Sequence, residues 1–185
     1  QRQMCIRDSC NAVETILVHR SIAKDFLPKL ARALTDAGVT IRGTQEVNTI
    51  IPVDVIPESE SFHKEYLSLS LAIKLVGDLD EAISHINTFG SHHTDCIMTK
   101  NEEAAKRFMA LVDSAGVYQN ASTRFADGFR YGFGAEVGIS TSKIHARGPV
   151  GLEGLISYKY KLFGHGQTVG DYASGKKQFH FKDLK

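Results

Sequence analysis

The feature of this sequence that most constrains its fold is a regular alternation of strand-like and helix-like segments over its first 120 residues. Segments rich in Val, Ile and Leu are followed by segments whose apolar residues recur at helical spacing. The predicted strands are 12–19, 39–42, 69–76, 94–99 and 115–120, and the predicted helix N-caps are Ser21, Asp78 and Asn101. This alternation indicates an α/β fold with a largely parallel sheet and flanking helices.

The chain changes character after Asn120. The segment 121–154 is rich in glycine and has no long apolar stripe. Glycine permits backbone conformations that other residues avoid, and a long irregular segment in a compact domain is usually functional. Residues 155–163 alternate with a period of two and predict a further strand, and residues 164–185 are polar and predict a surface tail.

Composition excludes several classes of function. A net charge of +1 over 185 residues gives no field that would favour nucleic acid or an anionic membrane. No apolar run approaches the ~20 residues needed to span a bilayer. The three cysteines, Cys5, Cys10 and Cys96, are too few for a disulfide framework and suit a reducing, cytoplasmic compartment. None has zinc-ligand spacing, so no metal site is predicted.

Cys10 is the first candidate for chemistry, because it stands just before the first predicted strand. A thiol at such a position can open onto a cleft, where backbone N–H groups stabilise a thiolate or an oxyanion. Position alone favours a buried structural cysteine, since free cysteines are among the most buried residues.

The run CNAVETILVHRSIAKDFLPKLARAL, residues 10–34, resembles the pattern around the nucleophilic cysteine of aldehyde dehydrogenases. Its opening residues, CNAVET, have the form found in γ-glutamyl phosphate reductases of that superfamily. The resemblance implies that Cys10 is the nucleophile and that Asn11 contacts the substrate.

A second stretch resembles the signature of the same reductases. The matching residues are Val76, Ala82, Ile83, His85, Ile86, Gly90, Ser91, His93, Thr94, Asp95 and Ile97. Phe89 departs from the pattern, because an aromatic ring there keeps the packing but loses the polar edge of His or Tyr. We interpret His85 as a packing or capping residue, and we predict that His93, at a turn before a strand, faces a cleft and contacts substrate.

The third stretch, residues 120–155, closely resembles the same part of these reductases. It brings an amide, two hydroxyls and a guanidinium onto one loop, a set that suits a carboxylate or a phosphate. The predicted substrate-binding residues here are Asn120, Ser122, Thr123, Arg124 and, as a second candidate, Arg147. The alternative is an arginine on a solvated turn, and Glu136 is a candidate structural partner for one of the arginines.

Glu65 is a candidate cofactor-binding residue. Its segment aligns in position with the one where aldehyde dehydrogenases place a Glu near the nicotinamide ribose. Leu67 replaces the Gly-Pro character usual there, and a plain surface carboxylate is the alternative.

The resemblance implies an activity in proline biosynthesis. The thiolate attacks L-glutamyl 5-phosphate, phosphate leaves, and NADPH reduces the resulting thioester to L-glutamate 5-semialdehyde. The chain contains no GxGxxG-type unit, and the family's cofactor-binding half lies before the cysteine. We therefore predict that this chain is a fragment without reductase activity of its own.

The resemblance also implies a division of the chain. Residues 1–9 depart from the family and are predicted to be a foreign or disordered leader, and residues 10–154 form the thiol-bearing catalytic domain. Residues 155–163 are predicted to be an oligomerisation strand that joins a homo-oligomer, with an internal edge strand as the alternative. Residues 164–185 are the tail.

Two further questions stay open at the level of sequence. The parent could be a lone reductase or a form fused to glutamate 5-kinase, and fused forms can be mitochondrial. The alternative functions are a general aldehyde dehydrogenase and a non-catalytic oligomerisation partner.

Overall fold

The computed structural model describes residues 10–57, 60 and 62–180, so the predicted leader at residues 1–9 lies outside the described residues. The strands are β1 (Thr15–His19), β2 (Thr40–Gly43), β3 (Asp54–Val55), β4 (Ser70–Val76), β5 (Thr94–Ile97), β6 (Gly116–Gln119), β7 (Gly138–Ser140) and β8 (Gly148–Val150). The helices are α1 (Arg20–Asp36), α2 (Gln45–Asn48), α3 (Leu79–Phe89), α4 (Glu102–Leu111) and α5 (Val169–Ala173). Two 3₁₀ turns cover Thr123–Phe125 and Leu152–Leu155. By their contacts the described residues divide into one unit that ends at Leu155 and a second that begins at Ile156.

The predicted parallel α/β arrangement is confirmed. Strands β1 to β4 form one parallel sheet in the order β1-β4-β2-β3, and Thr15 to His19 pair in register with Ala72 to Val76. Strands β5 and β6 form a separate parallel pair, and β7 and β8 form an antiparallel pair. Helices connect the parallel strands because such a connection has to cross from one end of the sheet to the other.

Two hydrophobic cores hold these layers. In the first, Leu27 of α1 packs with Val47 and Ile73, and all three side chains are fully buried. In the second, Ile83 of α3 packs with Phe108 of α4. Burying a side chain of this size contributes about 1.5–3 kcal/mol.

The helix ends follow local chemistry. Asp78 Oδ1 accepts a hydrogen bond from Glu81 N at 2.8 Å, and Asn101 Oδ1 accepts one from Ala104 N at 3.0 Å, so these two predicted N-caps are confirmed. The predicted cap at Ser21 is wrong. Helix α1 begins at Arg20, and His19 caps it by accepting from Ser21 N. Gly38, at φ 73°, follows the end of α1 as predicted.

The described chain forms no strand at residues 155–163, so the alternative of an internal edge strand is wrong, and pairing with another subunit stays a prediction. Leu155 ends a 3₁₀ turn, and residues 156–163 form no strand. Tyr158 and Leu162 are 83% and 96% exposed. A strand needs hydrogen bonds to a neighbouring strand, and period-two alternation alone does not supply them. The predicted tail contains α5, and its last five residues lie outside the described part.

No helix among the described residues is long and apolar enough to cross a membrane.

Candidate functional site

Asn11 is the residue that ties the thiol to the glycine-rich segment. Its side chain is buried, at 7% exposure, and its Nδ2 donates to Ala126 O at 2.8 Å. Its backbone carbonyl accepts from Thr123 Oγ1 at 2.8 Å, and its Oδ1 accepts from Arg124 Nη1. These bonds join residues more than 110 positions apart. The neighbour of Cys10 is thus fixed at three points by a single loop.

The 3₁₀ turn Thr123–Phe125 presents that loop to Asn11. Ser122 caps the turn, because its Oγ accepts from Arg124 N at 3.2 Å. Thr123 and Arg124 follow directly and reach Asn11 with their side chains. The structure therefore brings Thr123 and Arg124 to Asn11, the neighbour of Cys10, and gives the Ser122 hydroxyl a capping role. Substrate binding by these residues stays a prediction.

Asn120 lies where β6 ends, with a left-handed φ of 52°. Its Oδ1 accepts from Thr99 N at 2.9 Å and its Nδ2 donates to Thr99 O at 2.7 Å. Both ends of the amide are thus used to join the segments that follow β5 and β6. A contact between Asn120 and substrate stays a prediction, and it would compete with these two bonds.

The Cys10 thiol is accessible, and its surroundings oppose ionisation. Partial burial raises its pKa, and the Glu136 carboxylate raises it further. The backbone N–H groups of Cys10 and Asn11 and the Arg124 guanidinium lower the pKa, without reversing the shift. The surroundings therefore favour the protonated thiol, and the two backbone N–H groups that act on the sulfur suit an oxyanion there.

Glu136 stands out because one carboxylate affects two predicted site residues. Its charge raises the pKa of Cys10 and also acts to raise that of His93. Its Oε2 accepts from Gly128 N at 2.7 Å, so its hydrogen-bond partner is backbone and not the arginine expected from the sequence. This contact requires glycine at position 128, because a Cβ there would lie 3.0 Å from Glu136 Cβ. The glycine is the one feature of the sequence that could have indicated it.

His93 is buried, at 4% exposure, and the structure does not open its ring to a cleft as predicted. Its Nδ1 lies 2.7 Å from Thr94 Oγ1, and its buried Nε2 has no hydrogen-bond partner among the described residues. Burial lowers its pKa, so the ring is neutral. The role of His93 in binding substrate stays a prediction.

His85 is a packing residue, as interpreted from the sequence. Its ring lies 4.9 Å from that of Phe62 and 4.8 Å from that of Phe89, measured between centroids. Its Nδ1 lies 3.3 Å from Lys74 Nζ. Burial and the Lys74 charge lower the pKa of His85 to about 4. Phe89 therefore keeps the aromatic packing expected at its position.

Arg147 is engaged by the protein. Its Nη2 donates to Asp113 O at 2.9 Å and to Asp113 Oδ1 at 3.0 Å, while Lys143 Nζ donates to Asp113 Oδ2 at 2.6 Å. The Lys143 and Arg147 contacts lower the pKa of Asp113. Sequence reasoning missed Asp113, which ties the β7–β8 segment to the end of α4, and none of these bonds reaches the residues around Cys10.

Two strand-to-helix connections, β1–α1 and β4–α3, fit a dinucleotide poorly. A pyrophosphate needs free backbone N–H groups where a parallel strand leads into a helix. After β1, Arg20 is paired with Glu46 at 2.9 Å and with Glu81 at 3.2 Å. After β4, Gly77 N already donates to Glu81 Oε2 at 2.7 Å. Carboxylates therefore stand where a phosphate would have to bind.

Glu65 is exposed, and its charge contributes to the raised pKa of Glu14, after the larger effect of burial. Glu14 lies just before β1, four positions after Cys10 along the chain. Glu65 therefore acts near the start of β1, which is compatible with a ligand close to the thiol. Its contact with a cofactor ribose stays a prediction.

Comparison with known proteins shows which enzymes this chain is similar to. No protein-family model matches the chain. A γ-glutamyl phosphate reductase from Acetivibrio thermocellus is 61% identical over 170 residues, which are 92% of this chain and 39% of that enzyme. The crystal structure of γ-glutamyl phosphate reductase from Thermotoga maritima superposes with a TM-score of 0.81 at 48% identity, covering 86% of this chain and 39% of that one.

A third similarity concerns the fold alone. A propionaldehyde dehydrogenase from Clostridium phytofermentans has a TM-score of 0.50 at 18% identity, covering 77% of this chain and 40% of that one. The fold is thus shared with aldehyde dehydrogenases, as the sequence predicts. The chain spans about two fifths of the length of the curated relatives that it matches.

Proposed function

Because this chain is homologous over almost its whole length to part of γ-glutamyl phosphate reductase, as the sequence resemblance predicted, we propose that it carries that enzyme's thiol and acyl-binding site. The reaction is NADPH-dependent reduction of L-glutamyl 5-phosphate to L-glutamate 5-semialdehyde with release of phosphate, in proline biosynthesis. The observation that carries the proposal is the set of hydrogen bonds between Asn11 and the glycine-rich loop. It fixes the neighbour of an accessible thiol to a hydroxyl and a guanidinium.

The first step is attack by Cys10 sulfur on the acyl carbon. The carbon–sulfur bond forms, the bond from carbon to the bridging phosphate oxygen breaks, and the thiol proton leaves with phosphate. The N–H groups of Cys10 and Asn11 support this step, because they favour negative charge at the sulfur and suit the oxyanion that develops beside it. Holding the acyl group in place contributes ~7–11 kcal/mol in well-oriented reactions.

The reduction requires hydride, which NADPH supplies when bound. The poor fit of the β1–α1 and β4–α3 connections to a pyrophosphate supports a cofactor held mainly by the remaining three fifths of the enzyme. Within the described residues, Glu65 is the candidate for the ribose hydroxyls.

The proposal includes assembly as a cytoplasmic homo-oligomer through residues 156–163. Tyr158, Tyr160 and Leu162 are more than 80% exposed there, a surface that pairing with another subunit would cover. A kinase has to supply the acyl phosphate, so glutamate 5-kinase is the expected functional neighbour, as a separate or a fused chain.

The test is a chimera in which residues 10–180 of this chain replace the matching part of the Acetivibrio thermocellus enzyme. We expect NADP⁺ reduction by glutamate 5-semialdehyde that depends on added phosphate, and loss of this activity in Cys10→Ser. Arg32→Gln is the matched control, since Arg32 is 87% exposed and pairs only at 4.0 Å with Asp36.

Two outcomes would contradict the proposal. Turnover that survives Cys10→Ser would show that the reaction does not pass through a thioester on Cys10. Turnover that requires water and ignores phosphate would instead favour a general aldehyde dehydrogenase.

A further inference from the structure

The glycine-rich loop places the Arg124 guanidinium beside the thiol, and one of its nitrogens is already hydrogen-bonded within the protein. Arg124 Nη1 donates to Asn11 Oδ1. Its Nε and Nη2 have no hydrogen-bond or ion-pair partner among the described residues, and the side chain is half-buried. One edge of a planar guanidinium is therefore anchored while its donors Nε and Nη2 stay open, which suits a tetrahedral or planar anion.

The anchor determines which anion this can be. Arg124 is hydrogen-bonded to the Asn11 side chain, and its charge lowers the pKa of the Cys10 thiol, so the guanidinium lies near enough to the sulfur to act on it. In an acyl phosphate the bridging oxygen is bonded to the very carbon that the sulfur attacks. The α-carboxylate of a glutamyl group, in contrast, lies at the far end of its carbon chain.

Resting on the proposed function, we propose that Arg124 is the residue that binds the phosphate of the acyl phosphate, and not the α-carboxylate of its glutamyl group. Arg124 then stabilises the leaving phosphate as negative charge gathers on it. Asn11 is the positioning residue that aims the guanidinium.

The local charges give this role a reason. The Glu136 carboxylate acts on Cys10 more strongly than Arg124 does, in the opposite direction. A phosphate arriving at Cys10 therefore meets a repelling carboxylate, and Arg124 offsets that repulsion. Thr123 cannot share the task with its hydroxyl proton, because Oγ1 donates it to the Asn11 carbonyl.

Acetyl phosphate separates the two possibilities, because it has the acyl phosphate group and lacks the α-carboxylate. Its reaction with the chain forms an acetyl thioester on Cys10 and releases inorganic phosphate, which takes the thiol proton. p-Nitrophenyl acetate delivers the same acetyl group to the same sulfur without a phosphate. The ratio of the two acylation rates, followed by mass spectrometry of the Cys10 peptide, isolates the contact with phosphate from any change in thiol reactivity.

In Arg124→Gln the ratio should fall about tenfold to a hundredfold, the value of one charged hydrogen-bonding contact. Arg124→Lys should recover part of it, and Arg32→Gln should leave it unchanged. On the unmodified chain, inorganic phosphate should slow acylation by acetyl phosphate, and acetate at the same concentration should not.

The assignment is overturned if Arg124→Gln slows both reagents equally or neither, or if acetate protects as well as phosphate does. If neither reagent acylates Cys10 of the unmodified chain while iodoacetamide alkylates it, the proposed function falls and the assignment with it. That result is distinct from a loss confined to the Arg124 variants.

Discussion

At the scale of residues, the site depends on Asn11 as much as on Cys10. Sequence position alone favoured a buried Cys10, and the structure leaves that thiol accessible while burying its neighbour. Each polar group of the Asn11 side chain has a partner on the glycine-rich loop. A buried amide without such partners would cost about 1–3 kcal/mol, so the loop and the start of β1 stabilise each other.

Glu136→Gln should make Cys10 more reactive. The variant removes a negative charge that raises the pKa of the thiol, while an amide oxygen can still accept from Gly128 N. We expect a severalfold increase in the rate of alkylation by iodoacetamide at pH 7.5, with the midpoint of the pH–rate profile displaced to lower pH. Glu103→Gln is the matched control, because Glu103 is 83% exposed on α4. An unchanged profile would show that Glu136 acts through the loop alone.

His85 should make stability depend on pH. Its pKa of about 4 in the folded chain lies below its ordinary value near 6.5, so between these values the unfolded chain binds a proton that the folded chain does not. The free energy of unfolding should therefore fall as pH is lowered from 6.5 to 4, by about 3 kcal/mol at most from this residue. Urea denaturation at pH 7 and pH 4.5 measures the difference.

His85→Phe keeps an aromatic ring in contact with Phe62 and Phe89 and removes the titrating group. It should flatten most of this dependence and leave the smaller share of His93, whose pKa burial also lowers. His165→Gln, an exposed position in the second unit, is the control. A slope as steep in His85→Phe as in the parent would assign the pH dependence elsewhere.

At the scale of elements, the loop from Ala126 to Glu136 is closed by backbone contacts. Phe133 N donates to Gly128 O at 2.8 Å, and Gly128 N donates to the Glu136 carboxylate. Ala126, at the start of the loop, is buried and accepts from Asn11. The loop therefore has a defined conformation that positions Asn11, although it contains no helix or strand.

Gly128→Ala should open this loop. A Cβ at position 128 would collide with the Ala135 carbonyl and lie 3.0 Å from Glu136 Cβ, and such overpacking costs about 1–3 kcal/mol. We expect slower acylation of Cys10 by acetyl phosphate and by p-nitrophenyl acetate, with little change in far-ultraviolet circular dichroism. Gly138→Ala is the control, since its Cβ would meet nothing within 4 Å. Equal effects of the two substitutions would refute a positioning role for the loop.

At the scale of the whole molecule, the described residues place an accessible thiol beside the glycine-rich loop, and two of their strand-to-helix connections fit a pyrophosphate poorly. The β1–α1 and β4–α3 connections are occupied by the Arg20, Glu46 and Glu81 network. About three fifths of the relatives' length lies outside the part that this chain matches.

The chain alone should therefore show no reductase activity. With glutamate 5-semialdehyde, phosphate and NADP⁺, its rate of NADPH formation should equal that of Cys10→Ser. Acylation of Cys10 by acetyl phosphate under the same conditions would show that the thiol site is nonetheless formed. Cys10-dependent NADPH formation by the chain alone would contradict this prediction.

The sequence by itself determined most of the local structure and the similarity to part of the γ-glutamyl phosphate reductases. Caps such as Asp78 and Asn101 bond to backbone three positions away, and the apolar periodicity of α1 reflects a single helix face. Both features depend on residues that are close together in the sequence, so the sequence alone predicts them. Only the tertiary structure decided how the polar candidates are used. Arg124 reaches Asn11 across 113 positions and Arg147 reaches Asp113 across 34, and no local spacing distinguishes them. Residues 156–163 also show what local pattern cannot predict. Their alternation is a local property, but a strand forms only when another strand supplies its hydrogen bonds.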